Sequence, residues 1–214
     1  ALLDPDDPKL DRIIAKYVKN QIYFDATVAT YGAIGMVNEP VFEQWAPEES
    51  YLTSYARGLI DSYSRSDFSR LCENIYYVKK QVVKRFFDAG GLITIGSDRP
   101  LLLDNYLGTG LGGFFLHREM QVLVASGIDP LEVIKMATLQ NAQAIGMSDE
   151  LGSIDVSKWA DLAIIKGNPE YDITNTRNVH LVIVAGRVHH TKSLLDYCIG
   201  KLGPSNLESW LEER

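Results

Sequence analysis

The sequence predicts an α/β fold, and three observations carry that reading. The run Gly90-Gly91-Leu92-Ile93-Thr94-Ile95-Gly96-Ser97-Asp98 reads as a buried strand and directly follows an amphipathic helical pattern over residues 68–89. A second stretch rich in β-branched and aromatic residues, 22–32, also follows a helical pattern. From about residue 151 onward, short apolar runs alternate with turn residues. Helix–strand repeats of this kind build parallel sheets, whereas closely spaced strands separated by turns build a small antiparallel one.

Taken in order, Asp4-Pro5-Asp6-Asp7-Pro8 is a turn and helix-start cluster, and Leu10, Ile13, Ile14, Tyr17 and Val18 recur at helical spacing. Asn20-Gln21 breaks the pattern before the strand-like 22–32. Residues 33–66 carry weaker signals: Trp45-Ala46-Pro47-Glu48-Glu49-Ser50 reads as a loop with a helix start, and 51–63 as helical. Tyr51, Tyr55, Tyr63, Tyr76 and Tyr77 either line a pocket or pack helices together. In the helix of 68–89, Leu71, Ile75, Val78, Val82 and Phe86 form one stripe, and Gly90-Gly91 ends it. After Asp98 comes a glycine-rich loop, 105–113, which lacks the G-x-G-x-x-G spacing of a dinucleotide site.

Two helices follow, one over 114–124 and one over 131–146. The second starts at Asp129-Pro130, a side-chain acceptor at the cap with proline at the first helical position. Within 151–188, strands centre on Ala163-Ile164-Ile165 and His180-Leu181-Val182-Ile183-Val184, and Ala185-Gly186-Arg187 reads as a hairpin turn. Asp161 is expected to tie a turn to a strand. The tail from Thr191 reads as a helix, Gly203-Pro204, and a shorter helix whose Trp210 and Leu211 dock on a neighbouring surface.

Composition narrows the functional classes. At 214 residues with 46% hydrophobic content, the chain has the make-up of one or two globular domains. A net charge of −7 leaves no basic face for nucleic acid. No apolar run reaches the roughly 18 residues of a membrane span. Cys72 and Cys198 are too few for a disulfide framework and are expected to be buried thiols. Ala1-Leu2-Leu3-Asp4-Pro5 does not look like a natural start, so the cellular location is not legible.

The chemistry concentrates at Asp98. An acid that closes a buried strand stands where parallel α/β sheets place their reacting groups, although the same residue could simply cap the following turn. Arg99, next in the chain, suits a bidentate grip on a carboxylate or a pairing with Asp104. His117, within Leu116-His117-Arg118-Glu119-Met120, could touch a substrate or pack within its helix.

Ile95-Gly96-Ser97-Asp98, the Leu-His-Arg-Glu-Met helix and Lys158-Trp159-Ala160-Asp161-Leu162 occur in the order seen in one family. Together they resemble the C-terminal portion of the amidohydrolase superfamily, in its imidazolonepropionase and prolidase-like branch. Ala26-Thr27-Val28 resembles that family's Pro-Thr-Leu strand with Ala for Pro, and Ser157 stands where the family usually has Gly.

The resemblance implies the last βα units of a TIM (β/α)8 barrel over 1–150, part of a composite β-sandwich over 151–190, and a helical tail over 191–214. It implies cleavage of a C–N bond in a small amide, cyclic amide or dipeptide by a metal-activated water, with one or two divalent ions, zinc foremost. Asp98 would be metal ligand and proton carrier, and Arg99 and His117 substrate contacts. The other ligands would come from the missing N-terminal part of the same enzyme, and the assembly would be a homo-oligomer. Two alternatives stand beside this: a non-catalytic remnant acting as an assembly or regulatory partner, and an isomerase or deaminase using the same aspartate.

Overall fold

Asp7 accepts a hydrogen bond from the Lys9 amide and Pro8 occupies the first helical position, so the chain enters α1 (Pro8–Lys19) where the sequence signals a start. The computed structural model describes residues 4–43, 46–62, 64–98, 112–206 and 208. After α1 come β1 (Phe24–Asp25), α2 (Ala29–Ile34), α3 (Pro40–Glu43), α4 (Ala46–Glu49), α5 (Ser54–Asp61) and α6 (Asp67–Asp88). They are followed by β2 (Ile93–Thr94), α7 (Gly112–Ala125), α8 (Pro130–Lys135) and α9 (Asn141–Ala144). Strands β3 (Leu162–Ile165), β4 (Val179–Val184) and β5 (Arg187–His190) and helix α10 (Thr191–Cys198) complete the order.

Strands β1 and β2 are parallel, with Phe24 opposite Ile93 and Asp25 opposite Thr94. Burial alternates along both. Ala26, Val28, Ile93 and Ile95 are buried against the helices, and Phe24 packs on Phe86 of α6 at a centroid distance of 5.3 Å. Asp25, Thr27, Thr94, Gly96 and Asp98 are half-buried or exposed on the opposite side. This small sheet therefore has one apolar face covered by helices and one polar face left open.

The strand predicted over 22–32 is shorter than its composition suggests. Thr27 takes a positive φ of 37°, and the chain turns at once into α2. The helix predicted over 131–146 is interrupted by a π-helical turn, Met136–Gln140, which brings two side chains onto the free edge of β2. Gln140 Oε1 accepts from the Ile93 amide at 3.3 Å. Asn141 accepts from the Ile95 amide and donates to the Ile95 carbonyl, both at 2.9 Å. An edge strand presents unpaired backbone groups, and these side chains satisfy them.

Strands β3, β4 and β5 form an antiparallel sheet in that order. The β4–β5 hairpin turns through Ala185 and Gly186, both at positive φ, as two-residue hairpins require. Asp161 Oδ1 accepts from the Ala185 amide at 2.6 Å, the turn-to-strand tie expected of it. A 3₁₀ turn, Ile173–Arg177, packs on α7. The tail after α10 pairs with an early segment: Leu202 bridges Leu52, and the Thr53 hydroxyl donates to the Pro204 carbonyl. Cys72 is buried and Cys198 half-buried, both as free thiols. Among the described residues no helix is long and apolar enough to cross a membrane. Trp210 and Leu211 lie outside the described residues.

Candidate active site at the strand ends

The carboxyl ends of β1 and β2 lie side by side on the open polar face, one bearing Asp25 and Thr27, the other Asp98. Asp25 is held from both strands. The Thr27 hydroxyl donates to Oδ1, and the Thr94 hydroxyl donates to Oδ2 at 3.2 Å. Gly96 leaves room for this carboxylate, because a Cβ at that position would stand 2.8 Å from Asp25 Oδ2. Two residues on, Asp98 is exposed, with a φ of 51° in the left-handed region that aspartate tolerates better than most side chains.

Lys79, from α6, reaches this end of the sheet. Its ammonium donates to the Thr27 carbonyl at 3.2 Å and lies over the rings of Tyr31 and Phe24. Burial lowers its pKa, an effect opposed by the negative charges of Glu119, Asp25 and Asp98. Glu119 is fully buried and accepts from the Val28 amide at 2.8 Å and the Ala29 amide at 2.6 Å. Burial pushes its carboxyl up to about 7, against the lowering effect of those backbone donors and of Lys79.

Three consecutive α7 residues grip three different segments. Glu119 holds the β1 end, Arg118 pairs with Glu48 of α4, and His117 Nδ1 lies 3.1 Å from Thr176 Oγ1 in the 3₁₀ turn. The Thr176 hydroxyl spends its one hydrogen on the Ile173 carbonyl at 2.7 Å, so the imidazole Nδ1 is the donor. Burial, with Arg177 and Arg118 nearby, holds the His117 pKa down to about 4, so the ring is neutral at pH 7. By helical geometry His117 stands about 200° around α7 from Glu119, facing away from the strand ends.

The structure thus gathers Asp25, Lys79 and Glu119 about the strand ends, with the charge of Asp98 felt at Lys79, and His117 meets Thr176. Arg99 and most of the glycine-rich loop lie outside the described residues, as does Tyr63. Tyr76 is a core residue whose hydroxyl donates to Glu39 at 2.6 Å, Tyr77 meets its ring edge-on, and Tyr51 stacks on Phe114. Asp25 gave no signal of its own, since it sits inside the β-rich run 22–32 and becomes a strand-end acid only because the chain turns at Thr27. Lys79 and Glu119 gave none beyond their places in helical patterns.

A bound cation needs at least three converging donors. Among the described residues no group of three His, Cys, Asp or Glu side chains forms such a site, so these residues alone do not fit a complete metal centre.

Comparison with known proteins converges on one superfamily. A family model described as "Amidohydrolase family" matches residues 64–189. Adenine deaminase 3 of Rhizobium meliloti (strain 1021) is 32% identical over 92 residues, 43% of this chain but 14% of that protein. A crystal structure of a Xaa-Pro dipeptidase with bound methionine superposes with a TM-score of 0.58 at 21% identity, covering 84% of this chain and 37% of that one. Molinate hydrolase superposes with a TM-score of 0.53 at 25% identity, covering 91% of this chain and 37% of that one. The chain therefore spans well under half the length of these relatives.

Proposed function

This chain belongs to the amidohydrolase family, and on that premise we propose that it is the C-terminal part of a metal-dependent hydrolase acting on C–N bonds. The substrate class is a small amide, cyclic amide or dipeptide. In this reading β1 and β2 with their helices are the last βα units of a TIM barrel, and the open polar face is its inner wall. Strands β3–β5 are then part of a composite β-sandwich. The observation that carries the proposal is Asp98, at the carboxyl end of β2 on the uncovered face, where barrel enzymes place their reacting groups.

A divalent ion of the kind the family resemblance implies, zinc foremost, would supply a water whose pKa lies near neutrality. Asp98 is the one ligand assigned to this chain, and the remaining donors would come from polypeptide outside it. The part played by this chain's own residues is proton handling. Asp98 would accept a proton from the attacking water and pass it to the leaving nitrogen. Arg99 offers a guanidinium for a substrate carboxylate. His117, turned toward Thr176, is assigned to the contact between α7 and the 3₁₀ turn.

The test is Asp98→Asn in the complete enzyme, assayed on dipeptides and cyclic amides. Turnover should fall by about 10²-fold or more with circular dichroism and melting temperature unchanged; retained turnover rejects the assignment. The 32% identity to an adenine deaminase favours one further reading, release of ammonia from an amino-substituted heterocycle by the same aspartate. Aminopurines belong in the assay for that reason, and turnover of these but not of amides selects the deaminase.

A further inference from the structure

We infer that Glu119 and Lys79 clamp the Thr27–Ala29 turn from opposite sides and act as positioning residues for the acid-bearing strand ends. The turn would not hold this shape by itself. Thr27 is β-branched yet sits at a φ of 37°, a conformation such residues avoid and keep only where the surroundings over-determine it. Where β1 stops and α2 begins, the Val28 and Ala29 amides point into protein, away from any strand partner.

Glu119 supplies what these amides lack. Its Oε1 stands 2.8 Å from the Val28 nitrogen, and its Oε2 stands 2.9 Å from Val28 and 2.6 Å from Ala29. A carboxyl group taken wholly out of water is expensive to keep, and the nearby charge of Lys79 offsets only part of that cost. Its acceptors are spent on a turn 90 residues away in sequence. On the other side, the Lys79 ammonium fixes the Thr27 carbonyl at 3.2 Å and is itself seated against the Tyr31 and Phe24 rings. The peptide joining Thr27 to Val28 is thus gripped at its oxygen by the Lys79 ammonium and at its nitrogen by the Glu119 carboxyl group.

The clamped peptide carries its effect outward through side chains. The Thr27 hydroxyl holds Asp25, which Thr94 holds from the neighbouring strand, and Gly96 leaves the space that the Asp25 carboxylate fills. Asp98 follows two residues after Gly96, at a positive φ of its own. Loosening the turn releases Thr27, then Asp25, and with it the packing beside the β2 end.

The inference rests on the proposed function in one respect only, that Asp98 is the reacting acid. The experiment uses Glu119→Gln, Lys79→Met and Lys79→Arg in the complete enzyme, with amide hydrogen exchange at Val28 and Ala29 and steady-state kinetics as separate readouts. Glu119→Gln keeps the shape but loses one acceptor oxygen, so it avoids the folding failure that Glu119→Ala could cause. Exchange at Val28 and Ala29 should rise about tenfold or more, as expected when a buried backbone donor loses an acceptor.

The same variant should lower kcat about tenfold while leaving KM within about twofold, as a small misplacement of a reacting group does. Lys79→Met should behave likewise, and Lys79→Arg should restore most of the loss. Unchanged exchange in Glu119→Gln overturns the clamp. Raised exchange with unchanged kcat overturns its positioning role. If instead Asp98→Asn retains turnover, the hydrolase reading fails while the exchange data still decide the clamp.

Discussion

Arg118 and Glu48 form a two-point ion pair in full burial, with Nη1 at 2.8 Å from Oε2 and Nη2 at 2.6 Å from Oε1. Arg177 adds a third contact to Glu48 Oε1 at 3.0 Å. The pair joins α7, the insertion after β1 and the 3₁₀ turn beside β4. Removing one partner strands a fully buried charge, whereas removing both takes this contact only from the half-buried Arg177. Glu48→Ala is therefore expected to destabilise the protein by about 3–5 kcal/mol, and Glu48→Met combined with Arg118→Leu by clearly less. Urea unfolding of the single and double variants measures the difference. A single-variant loss near zero would show that the pair carries no structural weight.

His117 and Glu119 should give stability opposite dependences on pH. Glu119 is held up at about 7 from an ordinary 4.5, so the folded state binds this proton more tightly than the unfolded state. Its contribution is complete below 4.5 and is lost as pH rises through 7. His117 is held down at about 4 from 6.5, so its contribution is complete above 6.5 and is lost as pH falls through 4. Each displacement is worth about 3 kcal/mol. Between pH 4.5 and 6.5 the two slopes oppose, and single variants should separate them. Relative to wild type, Glu119→Gln should lose stability on acidification, and His117→Gln should gain it. Melting temperatures from pH 4 to 8 provide the check, and parallel curves for all three proteins would refute the assignment.

Asn141 is the side chain that closes the free edge of β2. Asn141→Ala leaves both the Ile95 amide and its carbonyl without that partner and should cost about 2–3 kcal/mol. Asn141→Asp keeps the acceptor and loses the donor, so it should fall between wild type and alanine. Chemical denaturation ranks the three, and alanine equal to wild type would mean that water replaces Asn141 freely.

Gly96→Ala tests the crowding at the strand ends. The added methyl would meet the Asp25 carboxylate 2.8 Å away, so that group must swing off Thr94. Because the move is local, the melting temperature should fall only modestly, while under the proposed function kcat of the complete enzyme should fall about tenfold or more. A variant with wild-type kcat would show that Asp25 has no bearing on the reaction.

Much of this architecture is written locally in the chain. Asp129-Pro130 begins a helix as its cap chemistry demands, the stripe from Leu71 to Phe86 becomes α6, and Asp161 does tie its turn to β4. Each of these depends on residues within one element or across one hairpin. The readings that changed depend on distant partners. The β-branched run after Ile22 gives way to a turn because Glu119, 91 positions later, takes the Val28 amide. The π turn that starts at Met136 presents Asn141 to Ile95, 46 positions earlier, and the contact of His117 with Thr176, 59 positions on, has no local signal either. Asp98 was legible as a strand-end acid, but its surroundings were not, because Lys79 and Glu119 look like ordinary helical residues until the fold brings them together.

The tail pairing has a kinetic side. Thr53 and Pro204 are 151 positions apart, so their contact closes a ring around most of the polypeptide. Ring closure of that span is entropically slow and gains nothing from neighbours in sequence. The seam between Leu52 and Leu202 should therefore zip late during folding and part early under stress, making this strap a natural first point of entry for a protease.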